Sequence, residues 1–373
     1  MARGQGLHSE RTILHDPRTG REVWKMTSWD QADCLATYMY LQAFSGDQRY
    51  LVFSSNLTGR HELYRLEIDT GRTVQLSQRQ ARPSTKDPYG DVVCHFHRNG
   101  REVFFLDGGS VVAIDVVTLG ERIVLRAGDC GWRRLYGFPS FTPDGRRFSI
   151  LFVDADGLHG IAVAAADGSG ARPLRKCSKA EEHLTHGLVV PAGDLSVTFN
   201  VHPDRQNDFS LSPSQRARAW KVDDKGAAEP FLVMPAGFRA THEYWGSSAR
   251  PGEPPRLYYH RKSVPNWTPT WIESVSMGGA DRIEHYHSAD RKLGHSCISP
   301  DGRTIVTDVQ DPNGNELIRI DLVTGASEIL CWPNSGASGG NFTHVHPSFS
   351  PRGDMVLYTT DSGGRPAVFI VPL

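Results

Sequence analysis

The chain has 373 residues, and its 41 basic and 42 acidic side chains give a formal net charge of −1. This balance lacks the basic excess typical of proteins that bind nucleic acid or anionic membranes, and no apolar run approaches the roughly 18 residues of a membrane helix. The N-terminal segment is polar and has no apolar secretory stretch, and the six cysteines are widely spaced without a CxxC motif. We therefore expect a cytoplasmic protein with reduced thiols.

A short turn signature recurs along the chain at intervals of about 45 to 58 residues, which is the length of a propeller blade with its loops. Each copy is followed by a β-rich run, a loop and a second β-rich run. The copies begin at Phe44, Phe96, Phe141, Val190, Ser247, Ile298 and Phe349. This pattern predicts an all-β fold, a seven-bladed β-propeller.

We expect residues 1–373 to form a single propeller domain, with blades that start near residues 37, 90, 133, 184, 240, 292 and 342. The last repeat stops after AVFIVPL and lacks an outer strand. The N-terminal run REVWKMTS, residues 21–28, is predicted to join blade seven and close the ring, since an open ring would leave two exposed sheet edges. Two unrelated β-domains are a weaker alternative, because the signature does not lapse over the length of a domain.

The residues just ahead of each turn are predicted to form the innermost strand of a blade and to line the central channel. Histidine occurs in this position in five of the seven blades. In chain order these runs are TYMYLQAF, DVVCHF, WRRLYGFPSF, HLTHGLVV, ATHEYWGS, KLGHSCI and NFTHVHPSF.

Three of these histidines have matching positions in the last two blades. His295 and His346 each lie four residues before the serine of the following turn, and His344 projects from the same face of a strand as His346. Three neutral imidazoles at one channel mouth suit a divalent transition metal, with Asn341 as a candidate further ligand. The alternative for each single histidine is a hydrogen-bonded structural role.

His242 opens blade five at the same offset from its turn as His344, so we expect it beside the metal site as a general base. Glu243, the next residue, would then face the opposite way. Arg218 and Arg133 are candidates to contact an anion, with surface exposure as the alternative for each. The remaining candidate substrate contacts are His186, His202 and Tyr244, and for His186 a structural role is an equal alternative.

Four motifs together resemble the oligogalacturonate lyase family. They are FTHVHPSFS at 342–350, THEYW at 241–245, GHS at 294–296 and RAW at 218–220. The resemblance follows the same order over nearly the whole chain and is strongest in the last two blades. Members of this family are seven-bladed propellers that cleave short pectic uronides by β-elimination with a divalent metal, typically manganese.

The resemblance implies that His295, His344 and His346 hold Mn²⁺, that His242 is the base and that Arg218 assists at the reacting centre. The substrate would be an acidic oligosaccharide. The sequence departs from the family pattern at Asn341, where the family has Gln.

Two other kinds of propeller carry similar repeats. A non-catalytic, TolB-like propeller that binds proteins shares the S-P-D-G turns, but it predicts no metal and has no use for histidines at equivalent channel positions. The propeller of a serine peptidase is set aside, because no hydrolase domain follows the repeats.

Overall fold

The computed structural model describes residues 3–9, 11–79, 93–177, 184–201, 203–310, 315–336 and 344–373. These residues form strands and turns, with two short 3-10 turns at Gly128–Cys130 and Pro203–Asn207. None of their helical segments has the length and apolarity of a membrane span.

The strands are numbered in chain order. They are β1 (Gly6–His8), β2 (Thr12–His15), β3 (Glu22–Lys25), β4 (Cys34–Leu35), β5 (Tyr50–Ser55), β6 (Glu62–Glu67), β7 (Arg72–Gln75), β8 (Cys94–Phe96), β9 (Glu102–Asp107), β10 (Ser110–Asp115), β11 (Glu121–Arg126), β12 (Trp132–Phe141), β13 (Arg147–Asp154), β14 (His159–Ala165), β15 (Arg172–Lys176), β16 (Thr185–Val189), β17 (Ser196–Asn200), β18 (Ala219–Asp223), β19 (Ala228–Leu232), β20 (Phe238–Gly246), β21 (Arg256–Ser263), β22 (Thr270–Val275), β23 (Arg282–Ser288), β24 (Leu293–Ile298), β25 (Thr304–Val309), β26 (Leu317–Asp321), β27 (Ser327–Cys331), β28 (Ser348–Phe349), β29 (Met355–Thr360) and β30 (Ala367–Pro372).

The strands pair into seven antiparallel sheets, the blades of a propeller. Blades two to six contain β8–β11, β12–β15, β16–β19, β20–β23 and β24–β27 in turn. Blade one contains β4–β7 with β1 on its outer edge, and blade seven has the order β2-β3-β30-β29-β28. The predicted all-β, seven-bladed propeller is confirmed.

The ring closes through the N-terminal strand, as the sequence predicts. Strand β3 pairs with the last strand, β30, with Trp24 opposite Ile370 and Lys25 opposite Phe369. Strand β2 then covers the outer edge of β3. The first and last parts of the chain thus share one sheet, which removes the edges that an open ring would expose.

The apolar core lies between the blades, where neighbouring sheets pack face to face. The described residues form seven apolar clusters, one at each interface between adjacent blades. Each interface contains a large buried side chain. In order from the interface of blades one and two to that of blades seven and one, these are Phe105, Phe148, Phe199, Tyr259, Tyr258, Tyr358 and Phe53. All six cysteines are free thiols.

The recurring turn after each innermost strand is held by its own polar groups. In blade six, Ser299 Oγ donates to Asp301 Oδ1 at 2.5 Å, and the backbone N–H of Arg303 donates to the same oxygen at 3.0 Å. Gly302 has φ +74°, and a Cβ there would lie 2.2 Å from the carbonyl oxygen of Ser248. The glycine of the motif is therefore required by close contact with the neighbouring blade.

Candidate metal centre and its surroundings

The inner strands of several blades carry β-bulges at their histidines. The pairing register shifts between Thr185 and Leu188 and between Thr241 and Tyr244, at His186 and His242. His186 and His242 have φ values of 52° and 59°, and His346 has φ 44°. Such conformations cost about 1–3 kcal/mol each and concentrate at functional sites, where a bulge re-aims a side chain.

Three of the histidines predicted to be metal ligands converge. The ring nitrogens of His295, His344 and His346 lie within 4.8 Å of one another. The ring centroids of His295 and His346 are 4.1 Å apart. The His344 centroid is 5.3 Å from that of His295 and 5.6 Å from that of His346. His295 and His346 are buried and His344 is half-buried. We expected a strand through this part of blade seven, but residues 344–347 are not in a strand, and β28 begins only at Ser348.

Burial keeps these imidazoles neutral. Desolvation first, and then the neighbouring histidines, hold the pKa values of His295 and His346 well below the ordinary 6.5. Burial also lowers the pKa of His344. A neutral imidazole offers a lone pair, so the three side chains present the donor set that divalent first-row metals prefer.

Asp308 on β25 supports His295 and was missed by the sequence analysis. Its Oδ1 accepts the backbone N–H of His295 and lies 3.5 Å from His295 Nδ1. Among the described residues, neither His295 Nδ1 nor Asp308 Oδ2 has a hydrogen-bond partner. A Cβ at Gly294 would come within 2.6 Å of Asp308 Oδ2, so this glycine makes room for the carboxylate. An aspartate in the buried β-strand run TIVTDV was the available signal.

His242 lies beside His295, one of the three converging histidines. Its ring centroid is 4.2 Å from that of His295 and 5.6 Å from that of His260. His260 on β21, also missed, forms a hydrogen bond through Nε2 with Ser296 Oγ at 2.8 Å. Burial first, and then His295, Lys262 and the other neighbouring histidines, hold the pKa of His242 well below 6.5. His242 Nδ1 has no hydrogen-bond partner in the described part of the chain.

Glu243 binds Arg218 of blade four, and the bulge at His242 means that the strand is not extended there as the expectation for Glu243 assumed. Arg218 Nε donates to Glu243 Oε1 at 2.8 Å, and Nη2 donates to Oε2 at 3.2 Å. Arg218 Nη1 donates to the carbonyl oxygen of Val201. The Asn200 amide donates to Glu243 Oε2 at 2.8 Å and lies 3.3 Å from His186 Nδ1, which joins the ion pair to His186.

The segment Thr37–Leu41 lies across the centre of the channel. We expected this segment to be the innermost strand of blade one, but only Cys34–Leu35 and a single bridge from Phe44 to Leu51 pair there. The Tyr38 ring centroid is 4.9 Å from His346, 5.9 Å from His186 and 6.0 Å from His295.

The other side of this segment borders a cavity. The cavity has a volume of about 340 Å³ and is lined in part by Met39, Tyr40 and Leu41. Loss of strand pairing in blade one thus places an aromatic segment between the histidines and the rest of the channel.

The remaining predicted contacts are less closely grouped. Arg133 is exposed at the start of β12. Tyr244 is buried, stacks on Tyr258 at 5.4 Å and lies 3.3 Å from Ser296 Oγ through its hydroxyl. Asn341 and His202 lie outside the described residues.

Comparison with known proteins reveals two full-length relatives. No family model matches the sequence. The oligogalacturonide lyase of Pectobacterium atrosepticum is 22% identical over 411 residues, covering 99% of this chain and 98% of that protein. The oligogalacturonate lyase of Dickeya dadantii is 22% identical over 408 residues, with the same coverage of each chain. The resemblance seen in the motifs is thereby confirmed.

Solved structures agree with the fold. An oligogalacturonate lyase in complex with manganese has a TM-score of 0.84 and 20% sequence identity, covering 100% of this chain and 98% of that one. The oligogalacturonate lyase of Vibrio parahaemolyticus has a TM-score of 0.82 at 20% identity, with the same coverage. This chain and those proteins share the seven-bladed propeller.

Proposed function

We propose that this protein is a metal-dependent lyase that cleaves short uronic-acid oligosaccharides by β-elimination, with Mn²⁺ as the metal. The observation that supports the proposal most is the convergence of His295, His344 and His346 within 4.8 Å. Its full-length likeness to proteins named oligogalacturonide and oligogalacturonate lyase supports the substrate class. Cytoplasmic residence remains a prediction from the sequence.

The residues present fit a divalent cation. Three neutral imidazoles face one point, and the buried carboxylate of Asp308 lies beside His295, in the position from which carboxylates orient metal-binding histidines. His295, His344 and His346 would hold the metal, and Asn341 remains our proposal for a further ligand. When bound, the metal supplies Lewis-acid stabilisation of the charge that develops on the uronate carboxylate.

His242 is proposed as the base that removes the C5 proton. Its neutral imidazole is next to His295 and its Nδ1 accepts no hydrogen bond from a described residue, so a lone pair is available. The low pKa of the buried ring would make it a weak base, but an anionic substrate beside it favours the protonated imidazole and raises that pKa. A positioned base of this kind contributes about 10²–10⁴-fold to the rate.

Elimination then needs no further protein nucleophile. As the C5 proton moves to His242, its bonding electrons form the C4–C5 double bond and the C4–O bond breaks. The departing oxygen takes up a proton from water and leaves as the hydroxyl group of the neighbouring sugar. The products are one unsaturated uronate end and one saturated sugar end.

Arg218 is proposed to assist at the reacting centre through the N–H groups that the Glu243 pair leaves free. A guanidinium has five N–H donors, and three of those of Arg218 bind Glu243 and Val201. The remaining donors suit a carboxylate or a developing oxyanion. His186, His202, Arg133 and Tyr244 remain proposed substrate contacts, and the hydrogen-bonded link from His186 through Asn200 to Glu243 supports His186.

The proposal is tested by incubating the protein with digalacturonate after chelation and again after Mn²⁺ is restored. We expect unsaturated or 4-deoxy-keto uronate only in the metal-loaded sample, together with manganese in the purified protein by elemental analysis. Metal-loaded, folded protein that turns over no uronide contradicts the proposal. Absence of any bound metal would favour a non-catalytic propeller.

A further inference from the structure

Two lysines beside the histidine site form no ion pair with any described residue. Lys262 on β21 is only 1% exposed, and Lys292 directly precedes β24. In the part of the chain that the structure describes, neither ammonium group hydrogen-bonds or pairs with a carboxylate. The carboxylates of Asp308 and Glu243 act on Lys262 from a distance but form no ion pair with it. Buried charges in proteins are ordinarily paired, so these two neighbouring cations indicate a place for an anion.

One indole ring joins the two lysines. The Lys262 Nζ is 5.5 Å and the Lys292 Nζ 5.6 Å from the ring centroid of Trp267. Arg239 is also near this ring, at 5.9 Å, but it is paired with Asp204 at 3.3 Å. Lys262 and Lys292 are therefore the cations near this ring that form no ion pair with a described residue.

Trp267 is held in a strained conformation. Its φ is 67°, which is a clear outlier for a bulky residue and is typical of functional positions. The Trp267 backbone N–H donates to the Ser263 carbonyl oxygen at 2.8 Å, and Thr270 Oγ1 donates to the Trp267 carbonyl oxygen at 2.7 Å. These bonds fix the backbone of Trp267 in the loop between β21 and β22, and its side chain is half-buried.

This group lies next to the proposed metal centre. His260 and Lys262 are two residues apart on β21 and project from the same face, and His260 contacts Ser296 of blade six. Lys292 lies three residues before His295. The positive charges are close enough that Lys262 helps to lower the pKa values of His242 and His295, and Lys292 that of His344.

We propose that Lys262, Lys292 and Trp267 form a binding subsite for the second uronate of the substrate. The two ammonium groups bind its carboxylate, and the indole packs against its pyranose ring. The inference rests on the proposed function, because it places one sugar carboxylate at the histidines and the next one here. A uronide with two charged sugars would use both places, whereas a single uronate would use one.

The charge state of Lys262 is consistent with an anion-binding role. Burial, and next the charge of Lys292, lower the pKa of Lys262 to about 7. A carboxylate bound between the lysines would favour both charged forms and repay part of the desolvation.

The test compares Lys262→Met and Lys292→Met with Lys225→Met, which removes the same charge from an exposed turn. Digalacturonate and galacturonate binding are measured by calorimetry in chelator, and KM is measured with Mn²⁺. We expect each of the first two variants to bind digalacturonate about tenfold or more weakly and to raise its KM. Galacturonate binding should change less, and Lys225→Met should match the wild type.

Lys292 is half-buried, so its variant tests the subsite even if Lys262→Met fails to fold. Unchanged digalacturonate affinity in the folded variants, or no digalacturonate binding by the wild type, overturns the subsite. Wild-type turnover with unaltered KM in both variants overturns the subsite and leaves the lyase function intact. Digalacturonate binding that depends on the lysines, in a protein that turns over no uronide, supports the subsite and contradicts the lyase function.

Discussion

Arg218 and Glu243 form a buried, two-point ion pair, with distances of 2.8 Å from Nε to Oε1 and 3.2 Å from Nη2 to Oε2. The two residues belong to adjacent blades, and Glu243 directly follows the proposed base His242. The pair therefore fixes the bulged strand that presents His242 to the metal centre.

Glu243→Gln should destabilise the fold strongly, because it leaves the guanidinium group buried without a counter-charge. We expect a loss of about 3–5 kcal/mol in the free energy of unfolding, measured by urea denaturation at neutral pH. Glu253→Gln is the matched control, since the Arg250–Glu253 pair is exposed and should contribute about 1 kcal/mol or less. Equal effects of the two substitutions would contradict the assignment of Glu243 as a buried partner.

His242→Ala should abolish turnover and leave the metal in place. The imidazole lies beside His295 but is outside the three histidines that converge. We expect kcat to fall about 10²–10⁴-fold, with manganese content by elemental analysis equal to that of the wild type. His287→Ala, at an exposed position on β23, is the control. Loss of manganese from His242→Ala would make His242 a ligand instead of a base.

Asp308→Asn should weaken metal affinity without removing a ligand. The carboxylate accepts the His295 backbone N–H and lies 3.5 Å from Nδ1, so it fixes the backbone that carries the imidazole. A change of about 10–100-fold in the Kd for Mn²⁺ is expected. Activity at saturating Mn²⁺ should survive in large part. An unchanged Kd in the folded variant would show that Asp308 does not support the metal site.

The chelated protein should lose stability as the pH falls below the ordinary histidine pKa of 6.5. Burial first, and nearby arginines second, lower the pKa values of His95 to about 3 and His285 to about 4. Between those values and 6.5 the unfolded chain binds protons that the folded chain does not, so folding stability is present above pH 6.5 and falls with acidification. The loss is about 1.4 kcal/mol per pH unit for each such histidine.

The urea midpoint at pH 7 and pH 5 checks this dependence. His285→Gln keeps a polar group near Ser274 and should reduce the slope with pH. A midpoint that does not change between these pH values would contradict the prediction.

Glycine should be better tolerated than alanine at His186. The residue has φ 52°, which alanine adopts at a cost of about 1–2 kcal/mol. His186→Gly should therefore unfold at a higher urea concentration than His186→Ala. At Thr185, in the same strand and without a positive φ, the order should be reversed, since glycine weakens a strand by about 0.5–1 kcal/mol. The same order at both positions would mean that the backbone of His186 is not strained.

The sequence predicted the ring and its histidines because both depend on a repeat. Turn copies about 50 residues apart predict blades, and equivalent offsets from those turns placed His295 and His346 in corresponding positions. The final convergence uses left-handed backbone at His346 and not the strand alternation that we expected. Such left-handed residues follow from packing and carry no periodic signal.

Other contributors to the site could not be predicted in this way. Asp308 and Lys262 lie on the second strands of their blades. Asp308 reaches His295 where the register of β24 and β25 shifts, and Lys262 nears the site through the packing of blade five against blade six. The Thr37–Leu41 segment has the alternation of a strand, yet its tyrosines pack among histidines of several blades. Contacts that depend on the geometry of the whole ring are absent from the local pattern.

The central claim, β-elimination at a metal-dependent histidine site, is tested most directly with digalacturonate deuterated at C5, in water labelled with heavy oxygen. For the Mn²⁺-loaded protein we predict an unsaturated or keto product that has lost the C5 deuterium, with no heavy oxygen gained from bond cleavage, and no product in chelator. Saturated galacturonate that keeps its deuterium and carries heavy oxygen at the broken linkage would mean hydrolysis and would contradict the account.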